Sequence, residues 1–227
     1  MLRKQTRRIL VFALFFFLTV PVAMSQVVYT IDFSNEADGN AQNWFKINHF
    51  ELERDADEIK AVFENGKLVL ETEDDILGLF SKQMEIKGAT RIRVEWGVDR
   101  YPIGADWTKG VLREALTIVV SFGKEKISSG SSFIPNVPYF IGLFIGEKEI
   151  KDKVYLGKYF REGGRYFCLI CGGKAGEMVI SEFEFDSTFK EQFKKAMPDI
   201  SAVTFEIDTR DVSGGSRAFI KKIEFLK

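Results

Sequence analysis

The sequence has very few of the residues that bind metals or begin nucleophilic catalysis. Its 227 residues include one histidine, His49, and two cysteines, Cys168 and Cys171. A structural zinc site takes four cysteine or histidine ligands, so these residues alone do not form one. The sequence lacks a Gly-x-Ser-x-Gly nucleophile motif and the glycine-rich loops that bind phosphates. These absences argue against a zinc protein, a Ser-His-Asp hydrolase and a nucleotide-binding enzyme, and His49 is interpreted as a surface or packing residue.

Long apolar runs are also scarce, and the one that stands out lies near the start of the chain. Four basic residues and no acidic one occupy positions 3–8, an apolar stretch follows at 9–20, and Ala-Met-Ser ends at Ser25. This layout is typical of a cleavable signal peptide, and its core is shorter than the roughly 20 residues of a membrane span. We expect residues 1–25 to be removed and 26–227 to be exported, to the periplasm or beyond. An uncleaved anchor is the alternative, and no transmembrane segment is expected after residue 25.

The charge balance narrows the class of partner. The chain has 32 basic and 33 acidic residues, and subtracting the four basic residues of the leader leaves a net charge of −5. A mildly acidic protein with dispersed lysines does not suit nucleic acid or an anionic membrane surface. The length after the leader suits one domain with its own core.

Alternation of apolar and polar residues predicts an all-β fold. Asn65-Gly66 lies between apolar runs at 59–63 and 68–71, which is a strong hairpin signal. Residues 91–99 alternate strictly, and the apolar stretch 115–122 is typical of a central strand. Further strands are predicted at 139–145, 165–170, 179–185, 202–207 and 218–225. One short helix is predicted at 188–197, with Thr188 and Glu191 as a capping box and Pro198 as its stop. The pattern predicts an antiparallel two-sheet sandwich of jelly-roll type.

Cys168 and Cys171 allow two interpretations. Residues three apart on a regular strand point to opposite faces, which favours two small apolar residues near a strand end. An exported protein matures in an oxidising compartment, which permits a disulfide between them.

Four segments carry a resemblance to known families. They are NWFKINHFE, RIRVEWGVDRYPIGADW, LTIVVSF and FEIDTRDVSGGSRAFIKKIEF, in that order along the chain. The sequence resembles an uncharacterised exported bacterial family, the domain of unknown function numbered three thousand and forty-seven. It is more distantly similar to jelly-roll carbohydrate-binding modules. The resemblance implies a β-sandwich, and the first family has no assigned activity.

Two rows of acidic residues could serve a glycosidase, which needs one acid and one base or nucleophile. Glu182, Glu184 and Asp186 share one face of a predicted strand, because residues two apart point the same way. The segment from Glu206 through Asp208 to Asp211 resembles the E-I-D-x-x-acid signature of sandwich-fold glycanases. The alternative interpretation of both rows is that they form the polar faces of half-buried strands.

Aromatic residues outside the alternating core are the binding candidates. We expect Trp44, Tyr101 and Trp107 to lie in loops, with Asp99 and Asp106 flanking the last two. Flat rings stack on sugar faces, and neighbouring acids accept hydroxyl hydrogen bonds. The alternative is that the rings plug the ends of the sandwich, where they exclude water.

A weaker candidate is a calcium site at Asp208 and Asp211, because calcium binds carboxylate oxygens. No other cofactor is expected. The sequence therefore predicts an exported, non-catalytic binding protein, with a polysaccharide or another envelope component as its partner. The alternatives are a sandwich-fold glycoside hydrolase or lyase that uses paired carboxylates, and a protein–protein interaction module.

Overall fold

The computed structural model describes residues 26–73 and 75–227. The predicted signal peptide lies outside the described residues. Within them, no helix has the length and apolar character needed to cross a membrane.

The described residues form two seven-stranded sheets that pack face to face. The back sheet contains β1 (Val27–Asp32), β2 (Gly39–Asn40), β4 (Lys60–Glu64), β5 (Lys67–Thr72), β7 (Arg91–Arg100), β12 (Met178–Glu184) and β14 (Ser216–Leu226). The front sheet contains β3 (Glu51–Arg54), β6 (Leu77–Ile86), β8 (Glu114–Ile127), β9 (Val137–Gly146), β10 (Val154–Tyr155), β11 (Gly164–Cys171) and β13 (Ile200–Asp208). The predicted all-β sandwich of jelly-roll type is confirmed.

The strand order places β8 and β13 inside the front sheet. The back sheet runs β12-β7-β14-β5-β4-β2, with β1 also paired to β14, and the front sheet runs β10-β11-β9-β8-β13-β6-β3. One pair, β9 with β11, is parallel, so the front sheet is mixed rather than purely antiparallel. The intervening residues 147–163 return the chain to the same end of the sheet before β11 begins, which is what a parallel pair requires.

Alternation along each strand sends one set of side chains into a continuous core. Ile92, Val94 and Trp96 are buried on the inner face of β7, and Ile118 and Val120 are buried on β8. The predicted hairpin forms with Asn65 and Gly66 at φ of 52° and 69°, which is the conformation that this pair tolerates.

Two short α-helices cover openings of the sandwich. The predicted helix forms, but α2 spans Phe185–Phe193 rather than 188–197. It begins three residues earlier, directly after β12, where the backbone amide of Phe185 donates to the carbonyl of Thr90. Glu184 is the N-cap and makes no side-chain hydrogen bond, so the predicted capping box is not used. It ends where Lys194 adopts a left-handed φ of 56°. A second helix, α1 (Gln42–Ile47), was not predicted.

Cys168 and Cys171 form a disulfide within β11. The register of β11 against β9 shifts between Cys168 and Ile170, and this bulge removes the regular alternation on which the opposite-faces prediction depended. Cys168 is also buried, in a small cluster with Trp107, Phe144 and Tyr155. This cluster lies apart from the main core and covers part of the outer face of the front sheet.

Candidate functional site

Three carboxylates meet on the outer face of the front sheet. Glu206 and Asp208 lie two residues apart on β13, so their side chains share a face. Glu114, at the start of β8, pairs in register with Asp208, and Thr117 pairs with Glu206. The inner-face neighbours Phe205 and Ile207 on β13 are fully buried in the core. The packing of the sandwich therefore fixes the direction in which the acids point.

Burial and mutual repulsion raise the pKa of two of these groups. Burial raises the pKa of Glu114 well above its usual range, and the charges of Glu206 and Asp208 raise it further. Burial and the charge of Asp208 raise the pKa of Glu206 to about 7, although Arg210 and Arg113 favour its ionised form. The environments of the two glutamates differ, because only Glu206 has guanidinium groups that favour its charged form.

Two guanidinium groups hold the third carboxylate in place. Arg210 donates to both oxygens of Asp208, from Nε at 3.0 Å and from Nη2 at 2.7 Å. Arg113 lies 3.5 Å from Asp208 and 2.6 Å from Asp211. Bidentate pairing of this kind fixes orientation as well as charge.

Trp107 supports the site from behind. Its indole Nε1 lies 3.2 Å from Glu114 Oε2 and 3.2 Å from the Arg113 carbonyl, and it donates to both. Its ring stacks on Phe144 at a centroid distance of 4.9 Å and contacts Tyr166 at the same distance. Trp107, Phe144 and Tyr166 therefore form an aromatic cluster beside Glu114.

The three acids line a cavity of about 750 Å³. Its opposite walls come from the loop before β9 and the loop before β11. Phe133 in the first loop is 93% exposed and Tyr159 in the second is 38% exposed, and both line the cavity. An open cavity with buried acids at its floor and exposed rings at its rim is typical of a ligand site.

The predicted binding residues near this region are occupied by internal contacts. Trp107 is only 6% exposed, so little of its ring is open to a ligand. Asp106 is buried and accepts from the Thr108 amide as the cap of a single helical turn. The Tyr101 hydroxyl donates to the Gly173 carbonyl at 3.0 Å, and burial raises its pKa to about 12. Asp99 lies on β7 and pairs with Arg217. The structure does not gather these residues around one cavity, and sugar binding through them stays a prediction.

Trp44 and His49 lie in and just after α1, away from the carboxylates. The Trp44 indole donates to Glu36 at 2.9 Å, and its partly buried ring packs against Phe33 and Phe63. This matches the end-plug interpretation of the ring. His49 is exposed, with a left-handed φ of 60°.

The proposed metal ligands pair with arginines instead of with one another. Asp208 and Asp211 both contact the Arg113 guanidinium. In the part of the chain that is described, no group of three or more His, Cys, Asp or Glu residues has an arrangement that could hold a metal ion. The residues present therefore do not fit a calcium site.

The two acidic rows lie on different sheets. Glu182 lies on the back sheet and pairs with Arg93 at 2.7 Å, and Asp186 lies within α2 and pairs with Lys190. Only the Glu206–Asp208 row reaches the cavity. Its partner Glu114 was missed, because the register between β8 and β13 depends on bulges that no short motif encodes. Phe133 and Tyr159 were missed as well, and a usable signal for them was a pair of aromatic residues within glycine- and serine-rich or charged loops.

The fold and the cavity together describe a β-sandwich with an acidic, aromatic-lined cleft on one sheet. The sequence matches no protein-family model and no curated protein. The resemblance to the uncharacterised exported family therefore stays a prediction.

Three solved structures are similar to this chain at low identity. A CBM4 structure has 6% identity and a TM-score of 0.36, over 86% of this chain and 97% of that chain. Endoglucanase 3 of family GH12 from Trichoderma harzianum has 7% identity and a TM-score of 0.33, over 79% and 98%. A family 12 xyloglucanase from Bacillus licheniformis, in complex with ligand, has 9% identity and a TM-score of 0.39, over 90% and 99%. These values are too low to assign any property of those proteins to this chain.

Proposed function

We propose that this protein is an exported glycoside hydrolase whose acid and base are Glu114 and Glu206. The observation that carries the proposal is the pair of glutamates that neighbouring strands bring to the lining of one cavity. Glycosidic cleavage requires two carboxyl groups that flank the bond in different protonation states. Environments that separate the pKa values of two nearby acids produce that combination.

The surroundings of the two glutamates support different roles, Glu114 as the acid and Glu206 as the base or nucleophile. Glu114 is the more deeply buried, and burial raises its pKa well above its usual range, which favours the protonated form that donates a proton to the leaving glycosidic oxygen as the C–O bond breaks. Glu206 faces two guanidinium groups that favour its ionised form. Its carboxylate attacks the anomeric carbon or removes a proton from the attacking water. Arg210 donates to both oxygens of Asp208 and so keeps a negative charge beside the two glutamates.

The cavity walls support a sugar ligand in particular. Phe133 and Tyr159 expose aromatic surface at the rim, and the carboxyl groups below can accept hydrogen bonds from hydroxyls. The N-terminal segment 1–25 has the layout of a signal peptide, which supports export. Polysaccharides are accessible to an exported protein.

A second candidate is glycan binding without cleavage. The observation in its favour is that Glu114 is only 3% exposed and Asp208 only 5%, which leaves Glu206 as the most open of these three carboxyls. A sugar could then be held above the floor by the rings and by Glu206 alone.

Release of new reducing ends from a panel of soluble plant and bacterial polysaccharides distinguishes the two. The hydrolase proposal expects release by the wild-type protein and its loss in Glu206→Gln. Glu182→Gln, which removes a paired carboxylate on the back sheet, is the matched control and should behave as wild type. Retention of polymers on the protein with no release of reducing ends would support the binding candidate and overturn the hydrolase.

A further inference from the structure

A second cavity adjoins the carboxylates and, unlike the first, has no acidic residue in its lining. It measures about 760 Å³ and shares Trp107, Leu112, Arg113 and Lys158 with the first. Its ionisable lining residues with charge at neutral pH are Arg113, Lys158 and Arg161, and none of its lining residues is acidic. A ligand in the first cavity that extends past Trp107 therefore enters a cationic surface.

Lys158 and Arg161 form no ion pair within the part of the chain that the structure describes. Arg113 is engaged by Asp208 and Asp211. Across residues 26–73 and 75–227, neither Lys158 nor Arg161 has a carboxylate within ion-pair distance, and both are exposed. The Lys158 ammonium lies over the Tyr159 ring, 5.4 Å from its centroid, which keeps the charge beside the cavity rim.

The acids that are near in sequence do not neutralise this surface. Asp106 is buried and bonds to Thr108 and Lys109. Glu162 is exposed but does not line the cavity. The whole chain carries a net charge of −1, so cations collected at one cavity run against the overall charge balance. Such a local reversal of sign attracts anionic ligands to that surface.

We propose that the substrate is an anionic polysaccharide whose carboxylate or sulfate groups bind Lys158 and Arg161 beside the cleavage site. The proposal rests on the glycoside hydrolase function and names its substrate class. Arg161 offers a planar fork that suits either anion, and Lys158 supplies a point charge. Arg54, an exposed residue that lines the far wall of the first cavity, extends the same preference across the cleft.

Polymers with one backbone and two charge states test the proposal directly. Carboxymethyl-cellulose is compared with hydroxyethyl-cellulose, polygalacturonate with its methyl ester, and dextran sulfate with dextran, so that carboxylate and sulfate recognition are separated. Binding is measured by affinity electrophoresis and calorimetry at low and high salt, and reducing ends are measured in parallel. We expect at least one anionic member to bind roughly tenfold or more tightly than its neutral partner, with a preference that weakens at high salt.

The matched variants are Lys158→Ala/Arg161→Ala and Lys46→Ala/Lys174→Ala. Both remove two exposed cations, but Lys46 and Lys174 line neither cavity. The first variant should lose most of the anionic preference and keep its weak binding of neutral polymers, whereas the second should match wild type. Equal losses in the two variants would show non-specific attraction and overturn the proposal.

The outcome also separates this proposal from the function on which it rests. Cleavage of neutral polymers with no anionic preference would overturn the anionic substrate class and support the hydrolase function. Anionic binding through Lys158 and Arg161 without cleavage would support the anionic ligand and overturn the hydrolase function. Release of unsaturated ends from a uronate polymer would keep the anionic substrate and replace hydrolysis with elimination.

Discussion

The outer faces of the two sheets carry acidic residues in opposite electrostatic settings. On the back sheet, one guanidinium, that of Arg217, donates to Glu64, Glu71 and Asp99 at 2.6–3.1 Å. These acids lie at a solvent-accessible surface, and each has a cation beside it. On the front sheet, Glu114 shares buried space with two other acids and receives hydrogen bonds in place of an ion pair.

The comparison shows that spacing alone does not distinguish a structural acid from a functional one. Acids two residues apart occur on both sheets, as Glu182 and Glu184 on β12 and as Glu206 and Asp208 on β13. The pKa of Glu71 is lowered by Lys60 and Arg217 against the cost of its burial, whereas the pKa of Glu206 is raised by burial and by Asp208. Two acids that repel one another and that form no ion pair among the described residues, Glu114 and Glu206, mark the candidate site.

The largest effect expected from breaking this contrast is on catalysis. Replacing Glu114 with Gln keeps the shape of the side chain but removes its proton, and we expect turnover of polysaccharide to fall by roughly 10²–10⁴-fold. The same variant should keep much of its activity on aryl glycosides, because a good leaving group departs without protonation. Initial rates on both substrates are the measurement.

Two further variants set the limits of that result. Glu184→Gln, on the back sheet, should leave both rates unchanged. A Glu114→Gln protein that cleaves polysaccharide at the wild-type rate would exclude Glu114 as the acid. Loss of the aryl glycoside activity in Glu114→Gln but not in Glu206→Gln would exchange the two roles.

The two faces should also respond to pH in opposite directions. A folded-state pKa of about 7 for Glu206, against 4.5 for the free side chain, means that the native protein binds more protons than the unfolded chain in between. Stability from this group is therefore full below pH 4.5 and is lost as the pH rises towards 7, by on the order of 2–3 kcal/mol. Glu71 and Glu95 have lowered pKa values, so their contributions are full above pH 4.5 and are lost in acid.

Urea denaturation of wild type and Glu206→Gln from pH 4 to pH 8 measures this difference. The free energy of unfolding of the variant should fall less steeply between pH 5 and pH 7, and at pH 8 the variant should be the more stable protein. Parallel curves for the two proteins would mean that Glu206 titrates normally and would remove the electrostatic basis of the site.

The sequence predicted the sheets better than the site, for a physical reason. Alternation along a strand is a local property, so residues 91–99 and 115–122 identify their strands without knowledge of their neighbours. The same locality identified Glu206 and Asp208 as a row. Glu114 joins them only through the register of β8 against β13, which is interrupted by shifts at both ends of the pairing. The sequence does not decide between a disulfide and two separate cysteines, because the bulge that permits the disulfide belongs to the β9–β11 pairing.

The smallest effect is expected on the back sheet, where removal of one cation tests whether pairing there is structural. Arg217→Ala should lower the free energy of unfolding at pH 7 by about 1–2 kcal/mol, because three carboxylates lose one cation while staying accessible to water. The loss should shrink at 1 M salt, where these charges are screened. Arg217→Lys keeps the charge but not the fork, and should recover only part of the loss. Hydrolysis of polysaccharide should be unaffected in both variants, and a loss of activity at constant stability would place the back sheet, including Asp99, within the functional surface.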